Sequence, residues 1–437
     1  MIKIEYQLIF SLNPRLLLKS ELIRHTSVLI TGTVLAQLIS ILLQPFLRRF
    51  FPPGLFGAFS VYMSMVGIIA CISSLRYDDA IVLPRSDKES AGLLALTQIS
   101  NLTISLIFFI IFLFFGNDIL SLINLKNGIS CSLLLLVPLG AFLLNAGQSF
   151  NYWLIRKKKY TQVSANKLVR RGGEGISQVT FALLKNHSGL ILSDIAGQTS
   201  NVIATIIQSF RNGFHLNLLS LNKIKYVAGK YSEFPRYNLI PAFMSTCSFF
   251  LPPILINKFF SSENAGYFDL AKLVLSIPLA FIASSLSNVL LQRFSSSFNA
   301  GKSFLGDLKG TLMIVGAISV AETLVILLFG NTLFGFVFGS NWSVSGDISR
   351  IMVWSFVLNF IVSSFSCLFI SMRKIKYYSI WQIFYFVAIV CLSLFRNLEF
   401  RNFLKIYVLI EVVCYLSVIF IMVRIVLNYE KKVIGKV

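Results

Sequence analysis

The stretch LITGTVLAQLISILLQPFLRRFFPPGLFGAFSVY (29–62) decides the fold class. It begins as an apolar run, closes that run with Arg48 and Arg49, turns at the sequence FFPPG, and opens a second apolar run. A membrane hydrocarbon core roughly 30 Å thick needs about 20 apolar residues for one helical crossing. The stretch therefore predicts two successive transmembrane helices. Pro45 predicts a bend or hinge near the end of the first, with a kink that has no part in function as the alternative.

The rest of the chain has the same apolar character. Of its 437 residues, 56% are hydrophobic and 13% are charged, and the mean hydropathy is +0.76. A soluble domain could not bury so much apolar surface in one core, so lipid must surround much of the chain. The apolar runs predict an all-α integral membrane protein with about twelve transmembrane helices. We expect these helices at 26–48, 55–75, 91–115, 130–154, 163–184, 189–210, 237–257, 265–292, 309–329, 350–371, 376–394 and 403–425.

The basic residues predict the orientation of the helices. The formal net charge is +21, but Lys and Arg form short clusters between apolar runs, which argues against a nucleic-acid partner. If both termini are cytoplasmic, 29 of the 39 Lys and Arg lie in cytoplasmic segments and 9 in outer segments, as the positive-inside rule requires. The densest cluster, 156–159, suits an anionic membrane face, so membrane lipids are expected partners.

An internal repeat relates the two halves of the chain. The sequence RFFPPGLFGAF (49–59) aligns without gaps with KFFSSENAGYF (258–268), and Gly57 matches Gly266. The two segments end the first and the seventh predicted helix. This placement predicts two pseudo-symmetric six-helix bundles, 1–215 and 216–437, around a central cavity.

Several motifs resemble one protein family. The stretch 29–62, the segment SSLRYDDAIVLP (73–84) and the stretch 229–297 resemble polysaccharide biosynthesis proteins that flip lipid-linked O-antigen repeat units. These belong to the multidrug/oligosaccharidyl-lipid/polysaccharide exporter superfamily. The resemblance implies a flippase in the bacterial inner membrane rather than an enzyme. Its substrate would be an undecaprenyl-diphosphate-linked glycan, and its partners a polysaccharide polymerase and chain-length machinery.

Two other functions remain open from the sequence. A polytopic polysaccharide polymerase or ligase would be expected to carry a large periplasmic loop with catalytic Arg or His, whereas His25, His187 and His215 are scattered. Another exporter of the same superfamily would share the fold. The six cysteines are far apart in apolar segments, so we expect neither a metal nor a redox cofactor. No G-x-x-x-x-G-K-[ST] sequence occurs, which excludes ATP hydrolysis by this chain as the drive. The family resemblance, together with isolated acids in the apolar runs, implies coupling to an ion gradient.

Cations at the membrane edge and inside the membrane are the predicted substrate-binding residues. Arg48 and Arg49 have two alternative roles. Either both anchor the helix at the membrane interface, or one of them pairs with the substrate diphosphate, and the family resemblance favours Arg49 for this second role. Lys272 lies inside the eighth predicted helix and must face protein or water; it forms a local ion pair with Asp269, or the two line the cavity. Arg76, in the matching segment 73–84, is a further candidate.

Two further groups of polar residues lie within predicted helices. A stripe along the fifth helix either lies in the cytosolic headgroup region or lines the inward mouth of a water-filled cavity; its residues are Lys167, Arg170, Arg171, Glu174 and Gln178. Single acids on the sixth, ninth and twelfth helices are candidates for ion coupling; they are Asp194, Glu322 and Glu411.

Overall fold

The computed structural model of the protein describes residues 21–125 and 130–434, which fold as helices joined by short turns. The predicted cytoplasmic termini, with Lys3, Arg15 and Lys19, lie outside these ranges, and the side chains of Arg24 and His25 are likewise not described. Thirteen helices of ten or more residues follow one another in the described part of the chain. They are α1 (Glu21–Phe50), α2 (Pro53–Ser73), α3 (Asp87–Leu122), α4 (Leu136–Arg156), α5 (Tyr160–Leu183), α6 (Gly189–Arg211), α7 (Leu221–Lys230), α8 (Leu239–Phe259), α9 (Ser262–Asn299), α10 (Leu305–Phe338), α11 (Ser343–Phe365), α12 (Ile375–Val390) and α13 (Phe400–Ile434).

Each of the twelve predicted spans coincides with one of these helices, and α7 was not predicted. Ten of the described helices, some with an adjoining turn, are long and apolar enough to cross a membrane; α1 and α5 are not among them. The all-α membrane fold is thus confirmed, whereas the count of twelve crossings stays a prediction. Several helices exceed the predicted apolar runs. The 38 residues of α9 extend about 57 Å at 1.5 Å per residue, well beyond the hydrocarbon core, so its polar ends continue outside lipid.

The helix α7 connects α6 to α8. Its N-terminus is capped by Ser220, whose Oγ accepts a hydrogen bond from the backbone N–H of Lys223 at 3.2 Å. The ammonium groups of Lys223 and Lys230 pair with Glu89 near the start of α3, at 3.5 and 2.9 Å. The Tyr226 side chain is exposed. Because basic and apolar side chains share this short helix, it is suited to a membrane surface.

The described residues divide into two compact units. The first contains residues up to Gln44, Ile72–Phe109 and Pro138–Arg236. Its core includes Trp153, which is fully buried and packs edge-on against Phe214 with ring centroids 5.3 Å apart. Helices α5 and α6 approach closely, since a Cβ at Gly197 would lie 2.8 Å from the carbonyl oxygen of Arg170.

The second unit contains Pro45–Cys71, Ile110–Val137 and the chain from Tyr237 onward. Within it, α11 packs against α9, α10 and α13, and α8 packs against α12. The division falls inside α1, directly before Pro45, which the sequence marks as a bend or hinge, although the helix continues through that residue. The two bundles 1–215 and 216–437 stay a prediction.

The repeated glycines Gly57 and Gly266 meet within the second unit. A Cβ at Gly57 would lie 1.7 Å from the carbonyl oxygen of Ser262, and one at Gly266 would lie 2.0 Å from that of Pro53. Pro53 and Ser262 occupy the same position of the repeat, each beginning its helix. The contact between α2 and α9 is therefore reciprocal, and only glycine allows the two backbones to come so close.

Candidate functional site

The last turn of α1 places Arg48 in a buried pocket of the second unit. Its side chain has no exposed surface, and its Nη2 pairs with Oδ2 of Asp269 on α9 at 2.8 Å. The guanidinium carbon lies 4.0 Å from the ring centroid of Phe56 and 4.4 Å from that of Trp342. The indole of Trp342 donates a hydrogen bond to the carbonyl oxygen of Arg48 at 2.7 Å. Arg48 thus joins α1, α2, α9 and the turn before α11 through contacts with protein groups.

The neighbouring Arg49 is exposed and has a different set of contacts. Its Nη2 donates to the carbonyl oxygens of Phe336 and Val337, at 3.1 and 3.5 Å. These carbonyls belong to the last turn of α10, where backbone acceptors lack helical partners and cations are favoured. Arg49 thus caps the C-terminus of α10, and both alternatives for it stay predictions.

Lys272 lies in the third turn of α9, inside a membrane-spanning helix. Its ammonium donates to the carbonyl oxygen of Phe249 at 2.8 Å and lies 3.4 Å from the centroid of that ring. Asp269 pairs with Arg48, and the local ion pair between Asp269 and Lys272, one of the two alternatives, is not formed. The reason is that the Lys272 ammonium is directed at the carbonyl oxygen and the ring of Phe249 on α8. Lys272 still attracts Asp269 and Glu411 electrostatically.

Glu411 on α13 is the buried acid of this region. Its Oε1 accepts hydrogen bonds from the hydroxyls of Tyr385 and Tyr407, at 3.0 and 2.7 Å. Lys272 on α9 interacts with Glu411 electrostatically, without direct contact.

A cavity of about 550 Å³ opens in the same unit, among α8, α9, α11, α12 and α13. The ring of Phe249 lines the cavity and contacts the ammonium of Lys272. Tyr385 also lines the cavity, and its hydroxyl donates a hydrogen bond to Glu411. Five aromatic residues, three small apolar residues and eight neutral polar residues form its walls. They are Phe249, Tyr378, Trp381, Tyr385, Tyr415; Ala280, Ala283, Val362; Ser245, Ser284, Ser287, Asn288, Asn359, Ser363, Ser366 and Gln382.

The polar stripe of α5 packs inside the first unit. Lys167 donates to the hydroxyl of Thr33 on α1 at 2.6 Å, and Arg171 pairs with Glu174 at 2.7 Å. Glu174 is buried and receives a hydrogen bond from Gln178 at 3.4 Å. Lys167, Arg171 and Glu174 are thus paired within the unit, which lowers the cost of a charged stripe in a membrane protein, whereas the buried Nε of Arg170 has no hydrogen-bond partner among the described residues.

A second acid lies beside that stripe. Asp194 on α6 is buried and accepts a hydrogen bond from Gln198 at 3.4 Å. Arg170 attracts both Asp194 and Glu174 electrostatically. The structure thus brings the predicted acid of α6 together with the predicted cations of α5.

The remaining predicted residues lie apart from these groups. Arg76 adopts a left-handed backbone conformation and pairs with Asp79 at 2.8 Å in the turn between α2 and α3. The neighbouring Asp78 is buried, and this desolvation raises the pKa of its carboxyl. Glu322 lies in the middle of α10, where its Oε2 has no hydrogen-bond partner in the part of the chain that is described. The six cysteines are unpaired, and no group of metal ligands is found among the described residues.

Residues 46–347 match the sequence profile of the family described as "Polysaccharide biosynthesis protein". The chain belongs to this family. The family resemblance inferred from the sequence is confirmed, and the match covers the Arg48 pocket, Lys272 and the α8 and α9 walls of the cavity. No curated protein matches the sequence of this family member.

The fold of this family member is similar to that of transporters of the MOP superfamily. An inward-facing multidrug resistance MATE family transporter has a TM-score of 0.67 and 14% identity, with 92% of this chain and 94% of that chain covered. The lipid II flippase MurJ, in an inward closed conformation, has a TM-score of 0.67 and 14% identity, with 92% and 91% covered. A MOP superfamily transporter from Pyrococcus furiosus has a TM-score of 0.56 and 12% identity, with 93% and 95% covered. Identities this low show a shared fold only.

The cavity walls of this family member were not predicted from the sequence. Charges within apolar runs mark ion sites in a membrane protein, whereas the wall residues are neutral. One signal was present: Tyr378, Trp381 and Tyr385 are spaced by three and four residues, which places them on one face of a helix, with Gln382 beside them.

Proposed function

We propose that this protein moves undecaprenyl-diphosphate-linked oligosaccharides, the repeat units of O-antigen or a related surface polysaccharide, from the cytoplasmic to the periplasmic leaflet by alternating access. In this proposal it is a transporter of the bacterial inner membrane with both termini in the cytoplasm. It makes and breaks no covalent bond, and its product passes to a polymerase and chain-length machinery. Membership of a polysaccharide biosynthesis family and a transporter fold support this function.

The observation that carries the proposal is the state of Lys272. A cation within a membrane-spanning helix costs about 2.5–3.5 kcal/mol even on the mildest insertion scale, so it requires compensating contacts. Within the described residues, Lys272 donates to one carbonyl oxygen and forms no ion pair with a carboxylate. An ammonium has three N–H donors, which leaves it able to bind a diphosphate oxygen. Six other predicted substrate-binding residues form hydrogen bonds or ion pairs with protein groups: Arg48, Arg49, Arg76, Lys167, Arg171 and Asp269. Arg170 interacts electrostatically with Asp194 and Glu174, and all seven stay predictions.

Ion coupling is the second part of the proposal. Glu411 is the candidate nearest to the site, because it attracts Lys272 electrostatically and contacts a cavity wall through Tyr385. Asp194 and Glu322 are the other two candidates. Transport that continues after both the proton and the sodium gradient are collapsed would refute the coupling and leave the flippase function intact.

The test compares cells that lack the gene with cells that express variants. Deletion is expected to cause lipid-linked single repeats to accumulate with their glycans facing the cytoplasm, and to abolish surface polysaccharide. Lys272→Ala is expected to give the same phenotype, and Lys272→Arg to restore part of the export. Lys258→Ala is the matched control, since Lys258 also lies near a phenylalanine ring, at 5.9 Å from Phe259, and is expected to be harmless.

The topology of the accumulated repeats is measured with a membrane-impermeant glycan label on spheroplasts, before and after the membrane is opened. Label that reaches the repeats only after opening shows a cytoplasmic orientation. Normal surface polysaccharide in the deletion strain, without accumulated repeats, would refute the proposed function.

A further inference from the structure

The cavity of the second unit carries no formal charge on its walls. All sixteen lining residues are neutral, and two of them contact ionisable groups outside the lining, with Phe249 against Lys272 and Tyr385 against Glu411. A diphosphate would find no counter-charge on these walls. A volume of about 550 Å³ lies within the range of 300–1,000 Å³ that is typical of small-molecule sites. The cavity therefore suits a neutral ligand.

One wall of the cavity is aromatic. The rings of Trp381 and Tyr385 are parallel within 3°, with centroids 5.4 Å apart, and Tyr378 lies 5.4 Å from Trp381 on the other side. Tyr415 of α13 extends this wall, 5.8 Å from Tyr385. Aromatic faces carry partial negative charge, whereas the C–H groups on one face of a pyranose carry partial positive charge. Trp381 and Tyr385 stack on one another, and Tyr378 and Tyr415 are tilted against them by 31° and 36°, so this wall offers aromatic surface to the C–H groups of a sugar.

A sugar also requires hydrogen bonds to its hydroxyls, and amide side chains of the cavity can provide them. Gln382 is 91% buried, lines the cavity, and has no hydrogen-bond partner in the described part of the chain. Asn288 also lacks one there, and Asn359 only accepts a hydrogen bond, from Ser363 at 3.1 Å. The Gln382 amide opens onto the cavity, so it is available to a ligand that binds there. An amide can donate to one hydroxyl and accept from another.

We propose that this cavity is a subsite for neutral sugar residues of the transported glycan. The inference rests on the proposed function and adds the part of the substrate that this unit recognises. Sugar rings stack on Trp381 and Tyr385, the amides of Gln382 and Asn359 bind their hydroxyls, and the diphosphate remains outside the neutral walls, with Lys272. Specificity for sugars over other neutral ligands follows from the amides, because a ligand without hydroxyls leaves them unpaired.

The test measures binding to the full chain in lipid nanodiscs by saturation-transfer-difference NMR and calorimetry. The probe is the neutral oligosaccharide that mild acid releases from the host's own lipid-linked repeats, and inorganic pyrophosphate is the second probe. Gln382→Met removes the amide with little change in volume, and it is expected to weaken oligosaccharide binding about tenfold while pyrophosphate binding is unchanged. Trp381→Phe, which keeps a smaller ring, is expected to weaken it severalfold. Phe384→Leu is the matched control, since Phe384 is exposed on the same helix and outside the cavity.

The subsite is refuted if wild-type protein does not bind the oligosaccharide, or if Gln382→Met and Trp381→Phe, folded by size-exclusion chromatography, bind it like wild type. It is also refuted if a phospholipid that copurifies occupies the cavity and the oligosaccharide does not displace it. The deletion strain decides the proposed function separately. Export lost on deletion but unaffected by Gln382→Met and Trp381→Phe refutes the subsite alone, and export unaffected by deletion refutes the function.

Discussion

The pair between Arg48 and Asp269 predicts an unequal response to the loss of each partner. The Arg48 side chain has no exposed surface, whereas the Asp269 side chain is 31% exposed. Asp269→Asn leaves a guanidinium buried without a counter-charge. Arg48→Met leaves a carboxylate that water can still reach. We therefore expect Asp269→Asn to destabilise the protein more than Arg48→Met does.

The magnitudes follow from the contacts of each group. Removing one partner of a buried ion pair costs about 3–5 kcal/mol. We expect this cost for Asp269→Asn, because the Arg48 that it leaves unpaired is fully buried. Arg48→Met loses two ring contacts worth about 1 kcal/mol each, at Phe56 and Trp342, while the hydrated carboxylate adds little. We expect about 2 kcal/mol for this variant. In the double variant no charge is left unpaired, so it should be more stable than Asp269→Asn alone by about 1–3 kcal/mol.

The free energy of unfolding is measured by SDS titration in mixed micelles, with Arg49→Met as the control. Arg49 is exposed and caps α10, so its loss should cost less than about 1 kcal/mol. Rescue of Asp269→Asn by Arg48→Met is the decisive result. Additive losses in the double variant, or a greater loss from Arg48→Met than from Asp269→Asn, would refute the electrostatic account of this pocket.

Three further predictions concern other parts of the chain. Gly57→Ala should prevent stable folding because its Cβ would lie 1.7 Å from a backbone oxygen, whereas Gly310→Ala, with nothing within 4 Å, should be neutral or stabilising. The two variants are compared by their yields of monodisperse protein, and a normal yield for Gly57→Ala would contradict the packing. Burial raises the pKa of Asp78, so its charge opposes folding above that pKa and the penalty disappears below about pH 3.9. Asp78→Asn should therefore raise the thermal unfolding temperature at pH 7 and lose most of this advantage at pH 4; an advantage independent of pH would exclude titration as its cause. Glu89→Gln should speed hydrogen exchange in Leu221–Lys230 severalfold and change global stability by less than about 1 kcal/mol, and unchanged exchange would show that the pairs with Lys223 and Lys230 do not hold α7.

The sequence predicts the helices well because lipid imposes a simple rule. A crossing helix needs a long apolar run, and every such run coincides with a helix of the structure. The rule fails where a helix needs no lipid. The ten residues of α7 are too short and too polar to be found as an apolar run, and the ends of α9 continue as helix beyond its apolar part.

The site is less predictable because ion-pair partners are set by packing between distant segments. Asp269 and Lys272 are one turn apart on α9, yet Asp269 pairs with Arg48, 221 residues away. The position of Arg48 depends on Phe56 and Trp342, whose approach no spacing in the sequence reveals. The cavity depends on five helices, and its neutral walls give only the weak aromatic periodicity of α12 as a sequence signal.

The reciprocal contact of Gly57 with Ser262 and of Gly266 with Pro53 has an evolutionary consequence. Two identical half-length chains that associate about a twofold axis make this kind of contact, in which one patch of surface meets its own copy. Fusion of two such chains would turn the dimer interface into an internal one. Each glycine would then constrain the other in the same gene, while the remaining positions of the two copies became free to acquire different side chains. In that history, the Arg48 pocket and the neutral cavity are specialisations gained after the two halves ceased to be equivalent.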